Sequence, residues 1–233
     1  MNKFTIGVII VILAVFGGMI IYSSTQNKEN TIDYSKFDAS KIITDTTYTG
    51  GIEEHVRGKA DSKVVVVEYA DFQCPGCASM MPKIDKVYEE FKDEVAFVFR
   101  SYPLSYHQNA RAASAAAEAA NEQGLFWEMA DALYTNRLDW INESGSSRSE
   151  KFIDLFKSIA PEGDLTKFIN DLNNNEYDKK IDFDFNLGKK VSKVTATPSL
   201  HVNGEHVPID EQDSLDDYAD KLRAKIKEEL AKE

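Results

Sequence analysis

Cysteine is almost missing from this sequence: 233 residues hold two, Cys74 and Cys77, three positions apart. An exported domain stapled by disulfides carries more of them at wider spacing, so this pair is read as chemistry rather than as scaffolding. Proline is scarce at 6 and glycine modest at 12, which excludes collagen-like and linker-like chains and leaves most of the sequence to fold. Cationic excess is also lacking, with 27 Lys and Arg against 39 Asp and Glu and a net charge of -12. A surface of that sign repels phosphate backbones and argues against a nucleic acid partner. Acidity serves solubility equally well and names no function. A chain this long, 42% hydrophobic, supports one well-buried domain with additional material rather than two full domains.

Uncharged stretches are short, with one exception. Thr5 to Tyr22 reads TIGVIIVILAVFGGMIIY, about long enough to cross a hydrocarbon core as a helix. Lys3 precedes it and Lys28 and Glu29 follow, so the positive-inside bias puts the N-terminus in the cytoplasm and the rest outside. Residues 1–22 are therefore expected to form a single transmembrane anchor. A cleaved signal sequence competes with that reading, although SSTQNKEN offers no small-x-small cleavage pattern. Either way the main domain is expected outside the cytoplasm, secreted if the leader is removed.

Residues 23–54 read as a polar spacer and lead-in; within residues 41–62 a short possible strand at Lys41 to Thr44 is followed by a mixed connection through Gly50, Gly51 and Gly58. Val64 to Val67 is a β-branched run suited to a strand buried on both faces. It continues through Glu68 and Tyr69 into Cys74-Pro75-Gly76-Cys77. Cys77, Met81, Ile84, Tyr88 and Phe91 then recur at helical spacing, and Val95 to Phe99 predicts a second strand, completing a βαβ unit. Alanine-rich residues 106–123 predict a helix ended by Gly124. Leu125 to Asn136, Glu150 to Ala160 and Leu165 to Asn173 predict further helices, with a weaker one over Glu176 to Lys190. Ser199 to Val202 and His206 to Ile209 flank Asn203-Gly204, a two-residue hairpin signal, and a last helix covers Ser214 to Leu230 with Asp213 beside its N-cap.

The sharpest feature is Cys74-Pro75-Gly76-Cys77. At the mouth of a strand and the start of a helix, Cys74 meets unpaired backbone N–H groups and the positive end of the helix dipole, which favour a thiolate. Such a sulfur attacks a disulfide, and Cys77, one turn on, resolves the mixed disulfide. Pro75 suits the first helical turn, where its missing N–H has no partner, and Gly76 leaves room for a polypeptide over the sulfurs. A structural zinc site competes but lacks a second cysteine pair, with only His55, His107, His201 and His206 to add. A fixed disulfide across two residues also competes, and it would be a poor staple.

The segments VVVVEYADFQCPGC, SYPLSYHQNARAASAAAEAANEQGLFWEMADALY and TATPSLHVNG, in this order, resemble the DsbA-like branch of the thioredoxin superfamily, specifically its bacterial exported or membrane-anchored members with an inserted helical domain. The resemblance covers about residues 55 to 230. It implies that Thr197-Pro198 is a cis-proline loop facing the redox pair and presenting the Thr197 backbone to an extended substrate. By itself Pro198 reads as an ordinary strand-start proline. The resemblance also implies that Glu68 is a buried acid that exchanges a proton with Cys77. A carboxyl in a β-branched strand is costly unless protonated or partnered, and the competing reading puts Glu68 at a sheet end in water. His107 matches a family position, but a surface histidine at a helix start explains it equally well. Tyr69 and Phe72 read as packing or as the rim of the site, and Phe126 and Trp127 as insertion core.

The expected fold is thus α/β: a thioredoxin-like domain from residues 55–105 and 188–233, interrupted by a helical insertion at 106–187. The expected activity is dithiol–disulfide exchange with exported, cysteine-containing proteins, with Cys74, Cys77 and Glu68 catalytic, Pro75, Gly76, Thr197 and Pro198 at the substrate side, and no metal or organic cofactor. The resemblance implies oxidation, with a quinone-linked membrane partner restoring the disulfide. A reductase or isomerase supplied by a membrane electron donor is the alternative, and a holdase gripping unfolded chains a further one. The Pro-Gly pair between the cysteines is neither the Pro-His of the strongly oxidising periplasmic relative nor the Gly-Pro of thioredoxin, which leaves the direction of electron flow open.

Overall fold

The computed structural model describes residues 32–172 and 177–232. The expected anchor, Thr5 to Tyr22, lies outside the described residues, among which no helix is long and apolar enough to cross a membrane.

The sheet is built around β2 (Val65–Ala70), whose β-branched start suits a strand covered on both faces. It pairs in parallel with β3 (Ala96–Ser101) and antiparallel with β4 (Ser199–Val202). β1 (His55–Gly58) and β5 (Glu205–His206) form the two edges, giving five strands in the order β1-β3-β2-β4-β5. Between β2 and β3 runs α1 (Pro75–Phe91), and α8 (Leu215–Leu230) follows the hairpin. Period-two alternation sends Val64 and Val66 to a core shared with Met80, Ile84, Leu222 and Ile226, while Val65, Val67 and Tyr69 face Tyr102, Leu104 and Val194. Glu68 lies on the α1 side of the strand, opposite Phe99 in β3 and Leu200 in β4.

The helices α2 (Ala110–Asn121), α3 (Phe126–Thr135), α4 (Arg137–Trp140), α5 (Gly145–Ile159), α6 (Leu165–Asp171) and α7 (Tyr177–Leu187) lie between β3 and β4 in the chain. Their core, built on Ala116, Met129, Leu133, Trp140, Phe152 and Phe168, is continuous with Ala70, Phe72, Cys77 and Phe99. The alanines of α2 let neighbouring helices approach closely; His55 Nε2 of β1 meets Glu118 Oε1 of α2 at 2.9 Å, while Lys180 Nζ and Asp184 Oδ1 pair at 2.6 Å within α7, whose Asp184 also accepts the Ser101 N–H of β3 at 3.1 Å.

Several local expectations are corrected. Lys41 to Thr44 is not a strand. Ala39 and Lys41 instead give their carbonyls to the buried Arg100 guanidinium at 2.7 and 2.8 Å, which holds this stretch by side-chain bonds rather than by a ladder. Tyr34, Ile43 and Ile52 are likewise buried, so this part of the lead-in packs on the domain. The strand His55–Gly58 lies in what reads as a connection. Helix α2 starts at Ala110, not at residue 106, because His107 and Asn109 are engaged in turns, and α5 starts at Gly145, five residues early. The buried stripe of α1 is Cys77, Met80, Ile84, Val87 and Phe91, with Met81 and Tyr88 half-buried at its side.

The Asn203-Gly204 turn is as expected, but the strand after it is Glu205–His206 rather than His206 to Ile209. Asn203 has φ 47 and Gly204 φ 84, the positive values a two-residue primed turn requires. The following helix begins with a capping box, in which Ser214 and Asp217 exchange side-chain and backbone hydrogen bonds.

Candidate active site

β2 ends at Ala70, and the turn that follows aims Cys74 at the N-terminus of α1. Cys74 is the N-cap residue of that helix and Pro75 opens its first turn. The Cys74 N–H donates to the Asp71 carbonyl at 3.0 Å, and the Asp71 carboxylate accepts from Gln73 N at 2.7 Å, Leu104 N at 2.8 Å and His107 Nδ1 at 2.8 Å. The insertion holds the same turn from the other side. Arg137 Nε donates to the Gln73 carbonyl at 2.6 Å, and Asn109 N donates to Gln73 Oε1 at 2.7 Å.

The two sulfurs differ in environment. Cys74 is 7% exposed and Cys77 1%. The Cys77 thiol and the backbone N–H groups of Cys77 and Gly76 favour negative charge on Cys74, and its pKa is drawn down to about 5 in spite of burial. Burial, and then donation to Cys74, pushes Cys77 well above the ordinary thiol range. One sulfur is thus an anion at neutral pH and its neighbour a thiol, the division of labour that attack and resolution require.

The Thr197–Pro198 peptide bond is cis, and its loop faces the pair. Cys74 Sγ lies 3.4 Å from the Thr197 carbonyl oxygen. A Cβ on Gly76 would stand 3.3 Å from Pro198 Cδ and 3.6 Å from the Thr197 oxygen, so glycine there leaves the space between helix and loop open. Glu68 sits on the same side of the sheet as the pair. It is half-buried in mid-strand rather than at a sheet end, and desolvation raises its pKa to about 7 against the opposing pull of Arg57.

The structure thus brings Cys74, Cys77, Pro75, Gly76, Thr197 and Pro198 together, with Glu68 beneath. His107 is not a free surface histidine, since it is tied to buried Asp71. Phe72 is fully buried and stacks on Phe99 with ring centroids 5.1 Å apart; Tyr69 is fully buried on the other face, its hydroxyl 2.8 Å from Ser192 Oγ. Both pack the fold rather than rim the site. Phe126 is insertion core at 3% exposure, while Trp127 reaches toward Arg57. Sequence reasoning missed Asp71 and Gln73. Their signal was present in the turn-favouring Asp before the cysteines, but the partners that define them come from distant residues. Among the described residues no group of three or more His, Cys, Asp or Glu is arranged to hold a metal.

The family model described as thioredoxin matches residues 51–223. The chain belongs to the thioredoxin family. A solved structure similar to this thioredoxin-family chain is BdbD from Bacillus subtilis, in its oxidised form, with a TM-score of 0.64 and 26% identity over 76% of this chain and 93% of that one. Among curated proteins, the probable disulfide bond formation protein D of Bacillus anthracis is 28% identical over 86% of this chain and 85% of its own length. The Na(+)/H(+) antiporter NhaA 1 of Mycolicibacterium gilvum is 33% identical over 65% of this chain, but the match spans only 24% of that protein. The chain thus spans between 15% and 24% of the length of the antiporter relatives it matches.

Proposed function

We propose that this thioredoxin-family chain is a thiol–disulfide oxidoreductase that introduces disulfides into exported proteins. The observation that carries the reading is the asymmetry of the pair: Cys74 at a helix N-terminus, opposite the cis Pro198 loop and drawn down to about 5, beside a Cys77 held as a thiol. Stabilising the thiolate stabilises the reduced form, which makes the disulfide an oxidant. The likeness to a disulfide bond formation protein over most of both chains supports the same chemistry.

In the oxidised enzyme a client thiolate attacks Cys74 Sγ, the Cys74–Cys77 bond breaks, and Cys77 leaves with the electron pair and takes a proton held by Glu68. A second client thiolate then attacks the client sulfur of the mixed disulfide and releases Cys74 as its stabilised thiolate. The Thr197 backbone holds the client chain as an added strand. Pro75 and Gly76 form the open floor beneath it. The uncharged run Thr5 to Tyr22 supports a membrane anchor with this domain outside the cytoplasm. Continued oxidation requires a membrane partner, quinone-linked in the reading favoured here, to accept the electrons.

The test is equilibration of the purified domain with glutathione buffers. A potential toward about -120 mV supports oxidation of clients, while one near about -270 mV turns the reading to a reductase fed by a membrane donor.

A further inference from the structure

Glu68 can serve repeated turnovers only if its own proton exchanges with solvent, and the redox face is occupied by client chain when that exchange is needed. On its other side a cavity of about 20 Å³ touches Glu68 and is lined by Arg57, Asp85, Trp127, Asp131 and Tyr134. That is room for about one water, which requires roughly 10–15 Å³ and two to four polar partners. Besides Glu68 of β2 and Phe99 of β3, the walls come from Arg57 of β1, Asp85 of α1, and Trp127, Asp131 and Tyr134 of α3.

The two outer carboxylates are not equivalent. Asp85 Oδ1 accepts from Arg57 Nη2 at 2.8 Å, and that guanidinium is fixed between the rings of Tyr88 and Trp127, at 4.2 and 4.6 Å. Asp85 is thus tied to the guanidinium, which leaves it less free than Asp131 to turn toward the cavity. Asp131 lines the cavity and is itself exposed, so this residue borders both the cavity and bulk solvent. Desolvation and then the negative charge of Asp85 raise its pKa to about 6, within reach of the value near 7 at Glu68. One turn further along α3, the Tyr134 hydroxyl is buried without a hydrogen-bond partner, within electrostatic reach of Cys77 and then of Glu68. A buried hydroxyl left without a partner is costly, and the cavity that Tyr134 lines has room for a water to supply one.

We propose that Asp131 of the helical insertion is the outer carboxyl of a proton path linking Cys77, through Glu68 and the cavity, to solvent. The inference rests on the oxidoreductase reading above. When the disulfide opens, the Cys77 sulfur takes the proton of Glu68, Glu68 is reprotonated from Asp131 through the cavity water, and Asp131 is recharged by bulk water. When the disulfide closes, each transfer reverses. Asp131 touches neither sulfur, so it positions and passes the proton rather than attacking. The other groups facing Glu68 are Cys77 and Asp85 of α1, Arg57 of β1 and Tyr218 of α8. Glu128 neighbours Asp131 on α3.

The experiment compares native protein, Asp131→Asn and Asp131→Glu in the multiple-turnover rate of dithiol peptide oxidation, with excess glutathione disulfide as the reoxidant, across about pH 5 to 8, with and without added acetate. Asp131→Asn is expected to lose about tenfold in rate around neutral pH, less than the roughly hundredfold or more that direct general acid–base assistance is worth, because Glu68 itself is kept. Acetate should restore it, Asp131→Glu should run close to native, and the Cys74 thiolate titration should not move. A superimposable pH–rate profile for Asp131→Asn overturns the path. So does a loss that acetate and Asp131→Glu both fail to rescue. If the native protein fails to exchange with the peptide at all, it is the oxidoreductase reading that falls.

Discussion

His107 Nδ1 lies 2.8 Å from Asp71 Oδ2, and that bond ties the loop between β3 and α2 to the turn that presents Cys74. The same carboxylate oxygen accepts the Leu104 N–H, and its partner oxygen accepts the Gln73 N–H. Asp71→Ala removes the acceptor for all three and leaves a buried backbone N–H at Leu104. Orphaned buried donors cost about 1–3 kcal/mol each, so urea unfolding should show a loss of about 3 kcal/mol with an unchanged slope. His107→Ala, which removes the half-exposed partner only, should cost less than half as much.

The low pKa of Cys74 owes most to the Cys77 thiol. Ultraviolet thiolate absorbance of the reduced native protein should titrate near 5, and Cys77→Ala should move the midpoint upward. An unmoved midpoint would assign the stabilisation to the helix N–H groups alone.

Oxidation removes both thiols from the titration and leaves Glu68 and Asp131 as carboxyls whose folded pKa values are raised, to about 7 and about 6. A carboxyl held above its unfolded value of about 4.3 favours the fold when protonated, so that contribution is full below about pH 4 and is lost as pH rises through 6 to 7. Thermal melts of the oxidised protein should therefore show a stability decline over that window which is shallower in Glu68→Gln. In the reduced protein Cys74 has the opposite sign: its depressed pKa adds stability above about pH 8.5 that is lost as pH falls toward 5.

Gly76 faces the loop that receives the client. A methyl group there would approach Pro198 Cδ to 3.3 Å and stand 3.6 Å from Cys74 Sγ. Gly76→Val should therefore lower kcat/KM for peptide dithiols by about tenfold, a difference of about 1.4 kcal/mol, with little effect on reaction with glutathione, which needs less of the cleft. Equal losses for both would place the damage in Cys74 rather than in client access.

The sequence disclosed those parts of the site that are local. Val65 to Ala70, the cysteine spacing and the hairpin at Asn203-Gly204 announce themselves through β-branching, helix-start chemistry and positive φ, and the cis Pro198 loop came through family resemblance. What was illegible is set by tertiary contact. His55–Gly58 is a four-residue edge strand of mixed polarity whose His55 is buried only because Glu118 and Phe126 cover it. In α1 two adjacent stripes are both apolar, and periodicity cannot tell that Met80 and Val87, not Met81 and Tyr88, face the sheet. Asp131 reads as one more surface acid on an amphipathic helix until α3 is seen lying over Glu68.

The clamp on Gln73 carries a consequence for any attempt at a smaller enzyme. Excising the helices between β3 and β4 would strip the donors from the Gln73 carbonyl and side chain and uncover Phe72 and Phe99. The remaining sheet would keep its strands and both sulfurs yet lose the brace that aims them, so here the helical part is a component of the redox apparatus and not an accessory grafted beside it.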